Sequence, residues 1–180
     1  MSSSITPSVL DFVARLPSTS HAIFCYESLD NACEVFRAYV KGATESDEAV
    51  RILCSSKSSY DAFMQSVKLP TAKDQVHHMD MSAFSSKRGF NSELAISLTK
   101  SELDATRKLG FKGLRVFSLA NDYLNYASLN DVLQFEKQLG LRFPLPISGI
   151  CAYDIGSLVD EALADLLKAH GSHIFQGIAG

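Results

Sequence analysis

Short, uninterrupted runs of apolar residues recur along the chain, separated by longer segments in which apolar residues follow helical spacing. Runs without a polar face are typical of strands covered on both sides of a sheet. The runs predict strands at 21–26, 49–55, 75–81, 113–119, 146–153 and 172–176. This alternation of strands and helices predicts an α/β fold, a three-layer α/β/α sandwich with a mainly parallel sheet.

The helical segments carry start and stop signals. Ser and Asn cap a helix by accepting a hydrogen bond from its first turn, and glycine ends one because it readily adopts a left-handed conformation. The signals predict helices that begin after Ser28, Asn91, Ser128 and Ser157 and end at Gly42, Gly110, Gly140 and Gly171. A shorter helix is predicted at 59–67 and a polar loop at 82–90. The buried face expected in the helix after Asn91 carries Leu94, Leu98, Ala105 and Leu109.

Charge and composition narrow the class of protein. The 180 residues include 17 basic and 20 acidic ones, a formal net charge of −3, which argues against binding to nucleic acid or to an anionic membrane surface. No secretory signal is recognisable, and no apolar run approaches the roughly 20 residues of a membrane span. The scattered cysteines predict reduced core thiols in a cytoplasmic protein. They are Cys25, Cys33, Cys54 and Cys151.

The length fits one domain with a short appendage. Residues 1–20 are predicted to form an N-terminal extension with a short helix after Pro7, because proline suits the first turn of a helix. Residues 21–180 are predicted to form the α/β domain.

Common catalytic motifs are absent. The turn after the first strand, 27–31, has neither the glycines nor the lysine of a phosphate-binding loop, and no G-x-S-x-G motif occurs. A pair formed by Cys25 or Cys151 with His21 or His170 is disfavoured, because nothing in the local sequence activates either thiol. His78 and Asp80 make only an incomplete metal pair. The sequence thus predicts no catalytic residue, no metal and no cofactor.

Ligands of parallel α/β sheets bind beyond the carboxyl ends of the strands. Arg115 lies within an apolar strand, where a guanidinium needs a partner. Its candidate partners are Glu27, Glu136 and Asp154, and the alternative is a purely structural ion pair. The side chains expected at the carboxyl edge include Tyr26 and Glu27, after the first strand, and Tyr153 and Asp154, at the end of the fifth.

Six short segments follow one another in a recognisable order. They are 21–27 (His-Ala-Ile-Phe-Cys-Tyr-Glu), 110–116 (Gly-Phe-Lys-Gly-Leu-Arg-Val), 135–136 (Phe-Glu), 151–154 (Cys-Ala-Tyr-Asp), His170 and 174–177 (Ile-Phe-Gln-Gly). This series resembles the MEDS family, the methanogen/methylotroph DcmR-type sensory domain. The resemblance covers about residues 21–177 and leaves out the first helix.

The resemblance implies a RecA/KaiC-like fold without a working phosphate loop. It also implies a sensory role, in which a small, hydrocarbon-derived molecule binds and the signal passes to a partner protein or a second subunit. We expect a stand-alone sensor, because no DNA-binding or kinase module is recognisable. The chain departs from the family at 117–120, where the family carries a small residue, an acid and Met. Leu119 at this point would make the pocket more apolar or non-functional.

These observations lead to the hypothesis of a non-catalytic sensory domain for a small organic ligand. Two alternatives stay open: a small-molecule enzyme that uses clustered carboxylates and Tyr, and an ATPase-like scaffold that only mediates protein contacts. A homodimer or a signalling partner is expected, and direct contact with nucleic acid or membrane is not. The predicted ligand-binding residues are Tyr26, Glu27, Arg115, Glu136, Cys151, Tyr153 and Asp154.

Overall fold

A computed structural model describes residues 4–69, 73–86 and 89–175. The strands are β1 (His21–Tyr26), β2 (Glu48–Cys54), β3 (Val76–Asp80), β4 (Ser85–Ser86), β5 (Gly89–Phe90), β6 (Gly113–Leu119), β7 (Ile147–Asp154) and β8 (Ser172–Ile174). Six of them form an all-parallel sheet in the order β3-β2-β6-β7-β1-β8. β4 and β5 pair separately as a short antiparallel hairpin.

Helices cover both faces of the sheet. They are α1 (Pro7–Ala14), α2 (Leu29–Glu45), α3 (Lys57–Val67), α4 (Ser92–Lys108), α5 (Leu129–Leu139) and α6 (Asp160–Ala169). Helices α1, α2 and α3 pack together on one face of the sheet, and this layer is named the α2 layer after its longest helix. Helices α4, α5 and α6 pack on the opposite face, and this layer is named the α5 layer after its middle helix. The predicted three-layer α/β/α sandwich with a parallel sheet is confirmed.

Alternation along each strand decides which layer a side chain reaches, because successive side chains point to opposite faces. In β1, Phe24 packs into the α2 layer and Ile23 into the α5 layer. In β7, Ile150 and Cys151 divide in the same way. Two residues on neighbouring strands can therefore lie on opposite sides of the sheet.

Most of the predicted helix signals are confirmed. Ser28, Asn91 and Ser128 each accept a hydrogen bond from the first turn of α2, α4 and α5. The prediction for Ser157 is wrong: α6 begins only at Asp160, and its preceding residue offers no side-chain cap. Ser157 instead donates its Oγ hydrogen to Oδ2 of Asp154, at 3.4 Å.

Gly42 does not end α2, which continues to Glu45. A Cβ built on Gly42 would lie 1.8 Å from the carbonyl oxygen of Ala14, so this glycine lets α1 and α2 approach backbone to backbone. The prediction of a helix end is wrong because close packing, and not a left-handed turn, explains this glycine.

The predicted buried face of α4 is also wrong. Leu94 and Leu109 are exposed, while Ala95, Thr99 and Leu103 are buried. The buried face thus carries Ala and Thr beside a single Leu, and the spacing of the leucines does not reveal this.

The predicted loop at 82–90 contains regular structure in its described residues. Most of a 3-10 turn at Met81–Phe84 falls within it, and β4 pairs with β5 there. The final strand ends at Ile174, and position 176 of its predicted span lies outside the described residues.

Helix α1 is part of the core. Val9, Val13 and Leu16, within and just after the helix, are buried in the apolar cluster of the α2 layer. The most apolar face of α1 is thus covered by its own chain, while Leu10 and Phe12 stay half-buried.

Candidate functional site

Four chemically reactive side chains meet in the interior, between the sheet and the α5 layer. His21 begins β1, Cys151 lies within β7, Glu136 is on the buried face of α5, and His170 follows α6. The side chains of His21, Glu136 and His170 are fully buried, and Cys151 is 5% exposed. We name these four residues the tetrad.

One carboxylate oxygen lies at the centre of the tetrad. Oε2 of Glu136 is 3.2 Å from Nε2 of His21, 3.6 Å from Nε2 of His170 and 3.9 Å from Sγ of Cys151. Sγ of Cys151 is also 3.6 Å from Nε2 of His21. These four atoms lie within 4.8 Å of one another.

Hydrogen bonds outside the tetrad fix its orientation. Nδ1 of His21 lies 2.7 Å from the carbonyl oxygen of Gly140, and Nδ1 of His170 lies 2.7 Å from that of Leu166. Since a carbonyl oxygen can only accept, Nδ1 of each ring carries the hydrogen. Tyr153 donates its hydroxyl hydrogen to Oε1 of Glu136 at 2.7 Å.

The burial of the tetrad shifts its ionisation. Burial lowers the pKa of His170 to about 4, against the opposing effect of Glu136, so this ring is neutral at pH 7. Burial alone would raise the pKa of Glu136, but His170, His21 and Tyr153 outweigh it and lower that pKa to about 2. A neutral His170 cannot form an ion pair with Glu136, whereas the Tyr153 hydroxyl stabilises the carboxylate at any pH at which Glu136 is ionised. Burial and Glu136 raise the pKa of the Cys151 thiol well above its ordinary value.

A cavity adjoins the tetrad, and Cys151 forms part of its wall. Its volume is about 40 Å³, whereas one water needs about 10–15 Å³ in the same measure, so it suits a molecule of a few heavy atoms. The cavity lies between the sheet and the helices α4 and α5. Its wall is mainly apolar and includes Leu53, Ala95, Ile96, Phe135 and Leu139.

The polar groups of the cavity wall include three hydroxyl-bearing residues, Thr99, Ser118 and Tyr123. Oγ of Ser118 is buried and has no hydrogen-bond partner of normal geometry within the described residues. It approaches the Tyr123 phenol closely enough to act on its pKa, which burial nonetheless raises well above the ordinary value. An unsatisfied buried hydroxyl costs free energy unless something binds to it.

The carboxyl edge of the sheet is a separate place. Asp122 Oδ2 accepts hydrogen bonds from N and Oγ of Ser55, at 2.8 and 2.7 Å, and Asn121 Oδ1 accepts one from N of Asp154, at 2.7 Å. Tyr26 lines a shallow surface depression beside Asn121 and Asp122. Burial, with the nearby Asp154 and Asp122, raises its pKa to about 12. The polar side chains of Asn121 and Asp122 thus form hydrogen bonds with residues at the ends of other strands.

Arg115 lies on the opposite face of the sheet, near its amino-terminal edge. Its Nε donates to Oε2 of Glu48 at 2.6 Å, and its Nη1 donates to the carbonyl oxygens of Ala14 at 3.0 Å and Tyr39 at 3.4 Å. None of its three predicted partners is among these groups, so the structural ion pair that the sequence left open is the arrangement found. Strand alternation places Arg115 in the α2 layer, away from Glu136.

The predicted site residues therefore fall into three groups. Glu136, Cys151 and Tyr153 come together at the tetrad, whereas Arg115 is separate from them. Tyr26, exposed Glu27 and Asp154 belong to the carboxyl edge. Leu119, the departure from the family pattern, lines the depression beside Tyr26 and is not part of the cavity wall.

The sequence assigns no ligand contact to His21 or His170, which it places only in a disfavoured pair with a thiol and in the series that resembles the family. Ser118 is expected among the residues near the carboxyl end of the fourth predicted strand, but not among the predicted ligand-binding residues. The signal of the two histidines was weak, because each stands alone in an apolar segment, 149 positions apart (170 − 21). Only the packing of α5 and α6 on β1 and β7 unites them.

Comparison with protein families gives one match. The model of the methanogen/methylotroph DcmR sensory domain matches residues 20–171. The chain belongs to the MEDS family. The matched MEDS region runs from the residue before β1 to the residue before β8 and contains all four tetrad residues, but not α1. The predicted domain boundary at 20/21 stays a prediction.

No curated protein matches this MEDS chain significantly. None of the helices in the described residues combines the length and apolar character needed to cross a bilayer.

Proposed function

We propose that this MEDS domain senses a small, uncharged, mainly apolar molecule that binds in the cavity between the sheet and helices α4 and α5. The observation that carries this proposal is the cavity itself, with an apolar wall and the unsatisfied hydroxyl of Ser118. Membership of a sensory family supports the same role.

The cavity wall limits the class of ligand. It contains no charged side chain, and desolvating a charge there would not be compensated. A volume of about 40 Å³ favours molecules with one to three carbon atoms, and the Ser118 hydroxyl suits a single polar atom. The small, hydrocarbon-derived ligand implied by the family resemblance has this chemistry.

The proposed output is a shift between two arrangements of the α5 layer. Ala95, Phe135 and Cys151 place the walls of the cavity on α4, α5 and β7, so a ligand contacts two helices and the sheet. Binding that favours one packing of these helices changes the surface that a signalling partner or a second subunit meets. The enzyme hypothesis requires clustered carboxylates. The cavity wall contains none, and Glu27 and Asp154 lie at the carboxyl edge of the sheet.

Thermal unfolding with a panel of probes tests the proposal. The panel contains one- to three-carbon haloalkanes, alcohols and nitriles, with ATP as a separate arm. A cavity ligand at 100 times its Kd stabilises the fold by about 2.7 kcal/mol. For a chain of this length, this corresponds to a rise in Tm of about 5–10 °C. We expect such a rise for at least one small organic probe and none for ATP.

Two valine variants on α4 provide the control. Ala95→Val fills part of the cavity, whereas Ala105→Val changes an exposed position of the same helix at a similar cost in helix propensity. Ala105→Val should keep the ligand-dependent rise in Tm, and Ala95→Val should lose it. Equal responses of the two variants, or a rise with ATP alone, would overturn the proposal.

A further inference from the structure

We propose that the tetrad is a metal site that binds one Zn²⁺ ion per chain, through Nε2 of His21, Nε2 of His170, Oε2 of Glu136 and Sγ of Cys151. This inference is independent of the cavity ligand proposed above. It rests on the hydrogen bonds that orient the two histidines, the distances between the ligand atoms, the charge balance and the chemistry of the donor set.

The second ring nitrogens of the two histidines lie beside the same carboxylate oxygen. Both histidines use Nδ1–H to donate to a backbone carbonyl, so Nε2 of each ring faces Glu136 and, wherever the ring is neutral, offers it a lone pair. Nε2 of His170 is buried and has no hydrogen-bond partner in the described residues. Acceptors that face acceptors repel one another unless a cation lies between them.

The distances fit a tetrahedral ion. Zinc bonds of about 2.0–2.1 Å to N or O and about 2.3 Å to S imply tetrahedral edges of about 3.3 Å between N and O and about 3.6 Å to S. The observed edges at Glu136 Oε2 are 3.2 Å to His21 Nε2, 3.6 Å to His170 Nε2 and 3.9 Å to Cys151 Sγ. The edge between Cys151 Sγ and His21 Nε2 is 3.6 Å. Each of these four edges differs from the ideal value by only a few tenths of an ångström. The other two edges, from Nε2 of His170 to Nε2 of His21 and to Sγ of Cys151, are at most 4.8 Å long, and binding of an ion would draw them in.

The surrounding hydrogen bonds are those of a metal site. Metal-binding histidines usually donate their second ring N–H to a carbonyl or a carboxylate, and metal-binding carboxylates are hydrogen-bonded in turn. His21 and His170 donate to Gly140 and Leu166, and Glu136 accepts from Tyr153. The ligands are therefore held in place before an ion arrives.

The charges balance when zinc binds. Coordination replaces the S–H bond of Cys151 by an S–Zn bond and releases the thiol proton to water. The two positive charges of Zn²⁺ then match one thiolate and one carboxylate, with both imidazoles neutral. The buried centre carries no net charge, which is the arrangement that burial favours.

The donor set selects the kind of ion. Thiolate and imidazole ligands suit Zn²⁺ and other late first-row ions, whereas Mg²⁺ and Ca²⁺ require oxygen ligands. Four protein ligands close the coordination sphere, which is typical of structural zinc. Because Cys151 also forms part of the cavity wall, the ion would fix one side of that cavity.

Metal content and a cobalt spectrum test the site. The untagged full chain is purified without chelators, and metals are quantified by mass spectrometry. We expect about one zinc per chain. Replacement by Co²⁺ should give a thiolate-to-cobalt charge-transfer band. Cys25→Ser is the matched control, since Cys25 is a buried thiol in the same apolar cluster. It should keep both signals, whereas Cys151→Ser should lose the band and bind metal at least about ten-fold more weakly.

A measurement on the unaltered chain covers the case in which the variants fail to fold. The chelated protein should gain several degrees of Tm when Zn²⁺ is added, and none with Mg²⁺. Folded protein that takes up no zinc or cobalt and shows no shift in Tm would overturn the proposal. The same conclusion follows if Cys151→Ser keeps the charge-transfer band.

Discussion

Replacement of Arg115 by methionine should destabilise the fold and leave ligand binding in the cavity unchanged. The guanidinium is 3% exposed and bonds to Oε2 of Glu48 at 2.6 Å and to the carbonyl oxygen of Ala14 at 3.0 Å. Ala14 is the last residue of α1, and its carbonyl has no partner inside the helix. Arg115 thus fastens α1 to the sheet.

The expected loss follows from these contacts. A hydrogen bond to a charged group contributes about 1.5–3 kcal/mol, and removal of one partner of a buried pair costs about 3–5 kcal/mol. Glu48 is 21% exposed and can recover part of its hydration, so we expect about 3 kcal/mol for Arg115→Met. For a domain of this size, Tm should fall by about 6–12 °C.

Urea unfolding followed by far-UV circular dichroism measures this difference. Arg15→Met is the control, because Arg15 and its partner Asp11 are 73% and 59% exposed and such pairs contribute about 1 kcal/mol or less. If Arg115→Met matched the control in stability, the anchoring role would be refuted. Loss of cavity binding per folded molecule, with stability unchanged, would instead place Arg115 in the ligand site.

Three further variants test the packing. Gly42→Ala should lower the free energy of unfolding by about 1–3 kcal/mol, because the new Cβ meets the Ala14 carbonyl; this loss should outweigh the gain from the higher helix propensity of alanine. If urea titrations showed that the variant is stabilised, the close approach of α1 and α2 would be contradicted. Ser128→Ala should lower the free energy of unfolding by about 1 kcal/mol, because it removes the capping box of α5. An unchanged Tm in thermal unfolding would show that the cap is dispensable. Tyr153→Phe should lower the free energy of unfolding by about 1–3 kcal/mol, because Oε1 of Glu136 loses its hydrogen-bond donor. Unchanged stability in urea unfolding would argue against the hydrogen bond between Tyr153 and Glu136.

The fold was largely predictable because its signals are local. Continuous apolar runs defined the six strands of the sheet within one or two residues at most ends, and the caps at Ser28, Asn91 and Ser128 marked three helices correctly. The prediction failed where a distant contact decides the local structure. Gly42 is explained only by its close approach to Ala14, and the buried face of α4 only by the side of the helix that packs on the sheet.

The sequence by itself determined the layered α/β architecture and, through short ordered motifs, membership of a sensory family. The tertiary structure alone decided which polar residues meet. Strand alternation sent Arg115 to one face of the sheet and Cys151 to the other, and helix packing brought Glu136 and His170 against His21. Apolar periodicity records whether a residue is buried. The partner of a buried charge depends on strand order and register, which no local pattern contains.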